Sequence, residues 1–207
     1  MFKVGSQLFM SEGPRAIEKL SGLGFDIFLD LKFHDIPNTV AHAVASALRF
    51  KAVRLMTIHA SGGFEMMRAA RAAAGEKSHR PKLLGVTILT SLDSAALERI
   101  GIAGPPEARV VALARLAQES GLDGVVASAH EIGEIRKACG PKFLIVVPGI
   151  RPAGASSDDQ WRVAAPGDAI RAGADYLVIG RPITGAADPH AVGLRVGVEI
   201  EAALHSK

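Results

Sequence analysis

The sequence contains a single cysteine, Cys139, in 207 residues. One cysteine cannot form a disulfide within the chain, and this usage fits a reducing compartment. No apolar run reaches the roughly 18–20 residues that a membrane helix needs, and no charged-then-apolar signal pattern follows Met1. These absences predict a cytoplasmic protein without a membrane segment.

Runs of lysine and arginine are also missing. The 24 basic and 21 acidic residues are spread along the chain and leave a formal net charge of +3, so the composition does not favour nucleic-acid binding. Hydrophobic residues make up 48% of the sequence and charged residues 22%. That is enough apolar material for a folded core. We expect one domain that covers residues 1–207.

Short apolar runs alternate with helix-like segments along the whole chain. Seven runs have the length of strands: 2–5, 25–31, 53–58, 83–89, 124–128, 143–147 and 176–180. Segments 37–50, 63–75 and 106–121 carry apolar residues at helical spacing. The strand-like runs are continuously apolar, which is typical of parallel strands buried on both faces. The pattern predicts an α/β fold, and both a doubly wound sheet and a β/α barrel fit it.

The stretch FLDLKFHDIPNTV, residues 28–40, places Asp30, Lys32, His34 and Asp35 at the end of an apolar run. Residues i and i+2 of a strand face the same side, so Asp30 and Lys32 are expected to be partners. β/α barrels build their active sites at this end of the strands. A neighbouring carboxylate keeps a lysine charged, which suits it to donate a proton. The alternatives are a plain salt bridge and, for His34, a packing role.

Three further basic residues stand in or after apolar runs. Lys3 lies within the first run, where it is either exposed or functional. The stretches VVPGIRPAG (146–154) and YLVIGRPIT (176–184) place Arg151 and Arg181 after glycine-containing strand ends. Arginine binds phosphate oxygens with two parallel hydrogen bonds, and β/α barrels often bind phosphate after their last two strands. The alternative is that both arginines are surface charges on turns.

The segment DLKFHDIPNTV (30–40) resembles the signature of the orotidine 5′-phosphate decarboxylase family in its bacterial form. Other segments follow in the order that this family shows: KVGSQLF, HASGG, VTILTS, VPGIRPAG, DDQ and VIGRPIT. The resemblance extends from Lys3 to about Pro189. The shorter Asp-x-Lys-x-x-Asp core is shared with a wider group of phosphosugar decarboxylases and synthases.

The resemblance implies a dimeric β/α barrel that converts orotidine 5′-phosphate into uridine 5′-phosphate and carbon dioxide without cofactor or metal. By this similarity Lys32 protonates C6 of the pyrimidine, and Asp30 lies against the departing carboxylate. Lys3 holds Asp30 and touches the ribose, and Asp35 reaches into the site of the neighbouring subunit. The substrate-binding residues implied are Asn38, Thr39, Thr90, Arg151, Gln160, Gly180 and Arg181.

The resemblance also implies an eight-stranded (β/α)8 TIM-type barrel, whose first strand and helix this chain does not contain. We expect a start assigned too late or a truncated coding sequence, and the alternative is an open barrel with unpaired edges. Two other functions remain open: a magnesium-dependent phosphosugar decarboxylase or synthase, and an inactive nucleotide-binding remnant. The run from His34 to Thr39 argues against the magnesium-dependent alternative.

Overall fold

Strands and helices alternate along the computed structural model, which describes residues 1–77, 79–152 and 163–205. The strands are β1 (Phe2–Gly5), β2 (Ile27–Phe33), β3 (Val53–His59), β4 (Lys82–Val86), β5 (Gly124–Val126), β6 (Leu144–Val147) and β7 (Tyr176–Leu177). The helices are α1 (Ser6–Glu12), α2 (Pro14–Gly22), α3 (Pro37–Ala47), α4 (Phe64–Ala74), α5 (Ser94–Arg99), α6 (Pro106–Glu119), α7 (Ile132–Cys139), α8 (Pro166–Ala172), α9 (Arg181–Thr184) and α10 (Pro189–Leu204). Within these described ranges, no helix combines the length and the apolar character needed to cross a membrane.

Within the described residues, the elements confirm the sequence prediction of seven strands, because each apolar run overlaps one of them. The three segments with helical spacing contain α3, α4 and α6, and two of these helices begin with proline, which is pre-set for the first helical position. Glycines with positive φ, Gly121 and Gly173, follow α6 and α8, as expected of helix ends. Several strands are shorter than their runs; β4 ends at Val86 and β7 at Leu177.

The chain forms two compact units, the first made of Met1–Thr87 and Leu113–Val125 and the second of Ile88–Ala112 and Val126–Lys207. In the first unit, β1 pairs with β2, β2 with β3 and β3 with β4, all in parallel. A doubly wound sheet reverses its strand order at a switch point. The consecutive order here is that of a β/α barrel and excludes the doubly wound alternative. The expectation of a single domain stays a prediction.

The core of the first unit lies on both faces of its strands. Ile27, Phe28 and Leu29 are consecutive in β2 and all are at most 5% exposed. Consecutive strand residues point to opposite faces, so both faces of β2 are covered. Helices α3 and α4 pack against each other, and Val44 and Met67 are fully buried in them. Each such buried side chain contributes about 1.5–3 kcal/mol to the free energy of unfolding.

The second unit carries β6 and β7 and the helices around them. The strands are parallel, and Asp175, just before β7, donates its backbone N–H to Ile145 O at 2.9 Å and accepts the Ile145 N–H on its carboxylate at 2.7 Å. Helix α8 packs against α10, where the Gly167 N–H donates to Glu199 Oε1 at 3.1 Å. The two hydrogen bonds between Asp175 and Ile145 fix the amino-terminal end of β7 beside β6.

Candidate active site

Three charged side chains meet on β1 and β2 of the first unit. Lys32 Nζ lies 2.8 Å from Asp30 Oδ1, and Lys3 Nζ lies 3.2 Å from Asp30 Oδ2. Asp30 is 8% exposed, whereas about a third of each lysine side chain is exposed. Both carboxylate oxygens therefore face an ammonium group. This cluster of Lys3, Asp30 and Lys32 is called the charged triad below, and it confirms that Asp30 and Lys32 are partners.

The second strand is irregular where it carries the charged triad. Leu29 pairs with Met56 of β3, and the next pair is Phe33 with Ile58. The three residues of β2 between these pairs therefore lie opposite one residue of β3, Thr57. Such extra residues form a β-bulge, which bends the strand and changes the direction of its side chains.

Lys32 is the non-glycine residue with positive φ in the described part of the chain, at 53°. For a side chain of ordinary chirality this conformation costs about 1–2 kcal/mol. The sequence prediction assumed a regular strand, in which i and i+2 share a face. The partnership is correct, but that reason is wrong: Asp30 and Lys32 meet across a bulge with a left-handed residue in it.

Thr57 fills the gap that the bulge leaves in the hydrogen-bond pattern. The Lys32 N–H donates to Thr57 Oγ1 at 2.9 Å, and the same hydroxyl donates to Asp30 Oδ1 at 3.0 Å. Thr57 is 1% exposed. Sequence analysis did not identify it; the available signal was a single hydroxyl residue inside the apolar run of β3, which needs a hydrogen-bond partner when buried.

The pKa of Asp30 lies below its ordinary value. Burial by itself raises this pKa. The hydrogen bond and the charge of Lys32, the charge of Lys3 and the hydrogen bond from Thr57 together lower it by more than burial raises it. Asp30 is therefore a carboxylate at neutral pH, although it is almost completely buried. The site holds an anion with a fixed direction between two cations.

His59, at the end of β3, lies near the charged triad. Burial lowers its pKa below the ordinary value, the charges of His34 and Lys32 lower it further, and Asp30 partly opposes them. The His34 and His59 rings are 5.2 Å apart. A lowered pKa leaves His59 neutral at pH 7, so it adds no third cation beside Lys32. Across residues 1–77, 79–152 and 163–205, no three His, Cys, Asp or Glu side chains form a group suited to a metal ion.

A cavity of about 320 Å³ opens onto the charged triad within the first unit. Its lining residues are Lys3, Gly5, Ser6, Gln7, Leu8, Asp30 and Lys32. This volume is at the lower end of the range for small-molecule sites. Ser6 and Gln7 were not identified as site residues from the sequence, and both begin α1 directly after β1. The cavity gives a ligand direct access to both ammonium groups.

The other predicted residues of the first unit lie after β2, in the loop to α3 or in its first turn. Asp35 is exposed and accepts the Ile36 N–H on Oδ1 at 2.6 Å. Asn38 and Thr39 are exposed in the first turn of α3, which begins at Pro37. The positions agree with a site at the carboxyl end of β2, and the contacts assigned to these three side chains stay predictions.

The remaining predicted residues belong to the second unit or lie outside the described residues. Thr90 is in a turn after β4 and is half-buried. Arg151 follows β6, and its backbone N–H donates to Ala164 O at 2.9 Å. Gly180 and Arg181 do not end a strand as predicted, because β7 ends at Leu177; Arg181 instead begins α9. Gln160 lies outside the described residues.

Comparison with known proteins gives a consistent family. The model of the Orotidine 5'-phosphate decarboxylase / HUMPS family matches residues 1–196. A protein of Pelobacter propionicus named orotidine 5'-phosphate decarboxylase is 56% identical over 191 residues, which cover 91% of this chain and 79% of the relative.

Solved structures agree with this similarity. The crystal structure of orotidine 5'-phosphate decarboxylase from Lactobacillus acidophilus is 38% identical with a TM-score of 0.83, covering 96% of this chain and 85% of that one. The crystal structure of orotidine 5'-phosphate decarboxylase from Pyrococcus horikoshii OT3 is 26% identical with a TM-score of 0.74, covering 96% and 86%. The α/β fold with consecutive parallel strands is thus the fold of these TIM-barrel relatives.

Proposed function

Because the chain belongs to the Orotidine 5'-phosphate decarboxylase / HUMPS family, we propose that it converts orotidine 5′-phosphate into uridine 5′-phosphate in pyrimidine biosynthesis. The observation that carries this proposal is the charged triad beside its cavity, with Asp30 ionised between Lys3 and Lys32. A carbon acid as weak as the pyrimidine C6 needs a fixed cation next to the carbon.

Lys32 is the proton donor in this proposal. When the bond between C6 and the carboxylate breaks, its electron pair stays on C6 and carbon dioxide leaves. The Lys32 ammonium stabilises this developing anion more than it stabilises the ground state, and then transfers a proton to C6. Water returns the proton to Lys32, whose side chain is about one-third exposed. No cofactor or metal takes part in these steps.

Asp30 has two roles in this scheme. It fixes the direction of the Lys32 ammonium, since the two groups are 2.8 Å apart. It also lies against the substrate carboxylate, so that departure of carbon dioxide relieves repulsion between two anions. Lys3 holds the second oxygen of Asp30 and contacts the ribose, and Asn38, Thr39 and Thr90 contact the nucleoside.

The phosphate is assigned to Arg151, Gln160, Gly180 and Arg181. Arginine side chains bind phosphate oxygens with two parallel hydrogen bonds, which favours both arginines for this role. The phosphate is remote from the bond that breaks, and its binding energy can still be used to hold the reacting carboxylate near Asp30.

Gly5 has no side chain and so leaves room for the Lys3 ammonium to reach Asp30. A Cβ added at Gly5 would lie 2.9 Å from Lys3 Nζ, the far end of a flexible side chain. We therefore expect Gly5→Ala to displace the ammonium and lower turnover about tenfold, with the free energy of unfolding changed by less than about 1 kcal/mol. Steady-state kinetics and denaturant unfolding measure both. The matched control is Gly22→Ala, which meets open space; native turnover by Gly5→Ala would contradict this role of Lys3.

Asp35 is assigned to the active site of a second subunit, so that the working form is a homodimer. Asp35 is exposed beside Ile36, an apolar residue that is 65% exposed.

If Lys32 and Asp35 of one site come from different subunits, mixing inactive Lys32→Ala and Asp35→Ala proteins restores activity. About half of the exchanged dimers are then mixed, each with one intact site, so about a quarter of native activity returns.

The mixing experiment is read by steady-state turnover after subunit exchange, with each variant alone as the control. Light scattering gives the oligomeric state of every sample. Mixed dimers without activity would show that Asp35 does not act across an interface. If each site were formed within one subunit, both sites of a mixed dimer would still carry one of the two substitutions.

The function is tested with purified protein and orotidine 5′-phosphate, by following the ultraviolet absorbance that is lost on decarboxylation. We expect turnover that is unchanged by a chelator. Turnover that collapses when magnesium is chelated, or activity on a phosphosugar acid instead, would favour the magnesium-dependent alternative. Binding of uridine 5′-phosphate without any turnover would favour the inactive remnant.

The cellular location belongs to the same proposal. A nucleotide substrate and a buried cysteine that forms no disulfide, Cys139, both suit the cytoplasm, where thiols stay reduced. We therefore place the enzyme in the cytoplasm, without nucleic-acid or membrane partners. Fractionation of cells with an antibody against the protein tests the location.

A further inference from the structure

We propose that the Thr57 hydroxyl is a positioning group that holds Lys32 in its left-handed conformation and thereby aims the Lys32 ammonium at the reacting carbon. The kinetic part of this inference rests on the decarboxylase function proposed above. Its structural part concerns the backbone of Lys32 alone and does not depend on the substrate.

The bulge arises on the side of β2 that faces β3. Pairing with β1 is regular up to its last pair, Gly5 with Asp30, so β1 does not impose the irregularity. On the other side, the register shifts between Leu29 and Phe33, opposite Thr57. The Lys32 N–H donates to the Thr57 side chain at 2.9 Å instead of to a backbone carbonyl. A hydroxyl thus replaces the strand-to-strand hydrogen bond at the strained residue.

The directions of these hydrogen bonds follow from the chemistry of a hydroxyl group. A threonine hydroxyl has one proton and two lone pairs. The Lys32 N–H can only donate and the Asp30 carboxylate can only accept, so the hydroxyl must accept from Lys32 and donate to Asp30. Among the side chains of similar size, serine can replace both bonds, whereas valine can replace neither.

Lys32 is consequently held at both ends by one carboxylate oxygen. Its ammonium donates directly to Asp30 Oδ1 at 2.8 Å, and its backbone N–H reaches the same oxygen through Thr57. This closed ring of hydrogen bonds fixes the backbone and the tip of the side chain together. Thr57 is 1% exposed, so water cannot readily take over its part of the ring.

Loss of the hydroxyl should therefore redirect Lys32. Without an acceptor for its N–H, Lys32 loses the contact that opposes its strain, and its backbone can relax to negative φ. The ammonium then points away from its present position. A displacement of about 1 Å in a reacting group can lower a rate about a hundredfold.

The kinetic test compares Thr57→Val with Thr57→Ser. For Thr57→Val we expect kcat for orotidine 5′-phosphate to fall about a hundredfold while KM changes by less than about threefold, because nucleotide contacts remain. Thr57→Ser, which keeps the hydroxyl, should retain kcat within about threefold. A fall in unfolding free energy with unchanged kcat in Thr57→Val would show a structural role only and overturn the proposal.

The pH profile gives a second kinetic readout. Asp30 faces Lys3 from β1, Lys32 from its own strand, and both Thr57 and His59 from β3. Donation from Thr57 favours the carboxylate, so its loss raises the pKa of Asp30. The acid limb of the kcat profile should move to higher pH in Thr57→Val and stay in place in Thr57→Ser. Coincident profiles for all three proteins would overturn the link between Thr57 and Asp30.

Crystal structures of the two variants test the backbone claim without any substrate. We expect Lys32 to keep positive φ in Thr57→Ser and to adopt negative φ in Thr57→Val. Positive φ in both would overturn the proposal, even in a protein that turns over substrate. If the native protein lacks activity towards orotidine 5′-phosphate, the proposed function fails, and these two structures still decide the role of Thr57.

Discussion

Replacement of Lys32 by alanine is expected to lower turnover of orotidine 5′-phosphate by about 10⁴-fold or more. The variant loses both the proton donor and the cation next to the developing carbanion, and each effect alone is worth about 10²–10³-fold. Binding of uridine 5′-phosphate should change much less, because the proposed phosphate contacts are made by other residues. Stopped assays with concentrated enzyme measure the residual rate, and calorimetry measures product binding.

Two further variants test whether the loss of turnover in Lys32→Ala is due to loss of the Lys32 ammonium. Lys19→Ala, at an exposed position of α2, should keep native turnover. Lys32→Gly should be as inactive as Lys32→Ala yet about 1 kcal/mol more stable to denaturant, because glycine adopts φ of 53° without steric cost. A Lys32→Ala protein with near-native turnover would exclude Lys32 as the proton donor.

Replacement of Asp30 by asparagine should have the second largest effect, a loss of about 10²–10³-fold in kcat. The amide keeps the shape of the carboxylate but removes the anion that lies between Lys3 and Lys32 at 3.2 and 2.8 Å. The two ammonium groups then repel each other, and Lys32 loses its direction. Steady-state kinetics across substrate concentrations separate kcat from KM.

The change in KM shows how Asp30 works. If Asp30 destabilises the bound substrate by facing its carboxylate, KM should fall together with kcat in Asp30→Asn. An unchanged KM would indicate that Asp30 acts only by holding Lys32 in position. Asp26→Asn, which removes an exposed carboxylate paired with Arg54, is the control and should behave like the native enzyme. Native kcat in Asp30→Asn would contradict the charged triad as the catalytic centre.

Much of the fold could be predicted from sequence because local patterns determine it. Continuous apolar runs marked each strand of the described residues, and helical spacing with proline marked the start of α3 and α6. Residue patterns alone left the choice between a barrel and a doubly wound sheet open, since it depends on strand order, and the family resemblance indicated the barrel. Strand order is a long-range property, and the pairing of β1 with β2, β2 with β3 and β3 with β4 decides it.

Residue spacing predicted the candidate site only where its residues are neighbours in sequence, and the contact between Lys3 and Asp30 was expected from the family resemblance alone. Asp30 and Lys32 are two positions apart, and their partnership is correct. Thr57 lies 25 residues from Lys32, and no local pattern connects the two. Positive φ at Lys32 could not be predicted either. Glycine and asparagine indicate a left-handed conformation in a sequence, whereas lysine does not.

In the proposed function, this chain breaks the bond between C6 and the carboxylate of orotidine 5′-phosphate with the charged triad. The most direct measurement follows purified protein with substrate labelled in the carboxylate carbon, in buffer that contains a chelator. The native protein should release labelled carbon dioxide and uridine 5′-phosphate in equal amounts, and Lys32→Ala should release neither above background. Equal release by the two proteins, or none by the native protein, would contradict it.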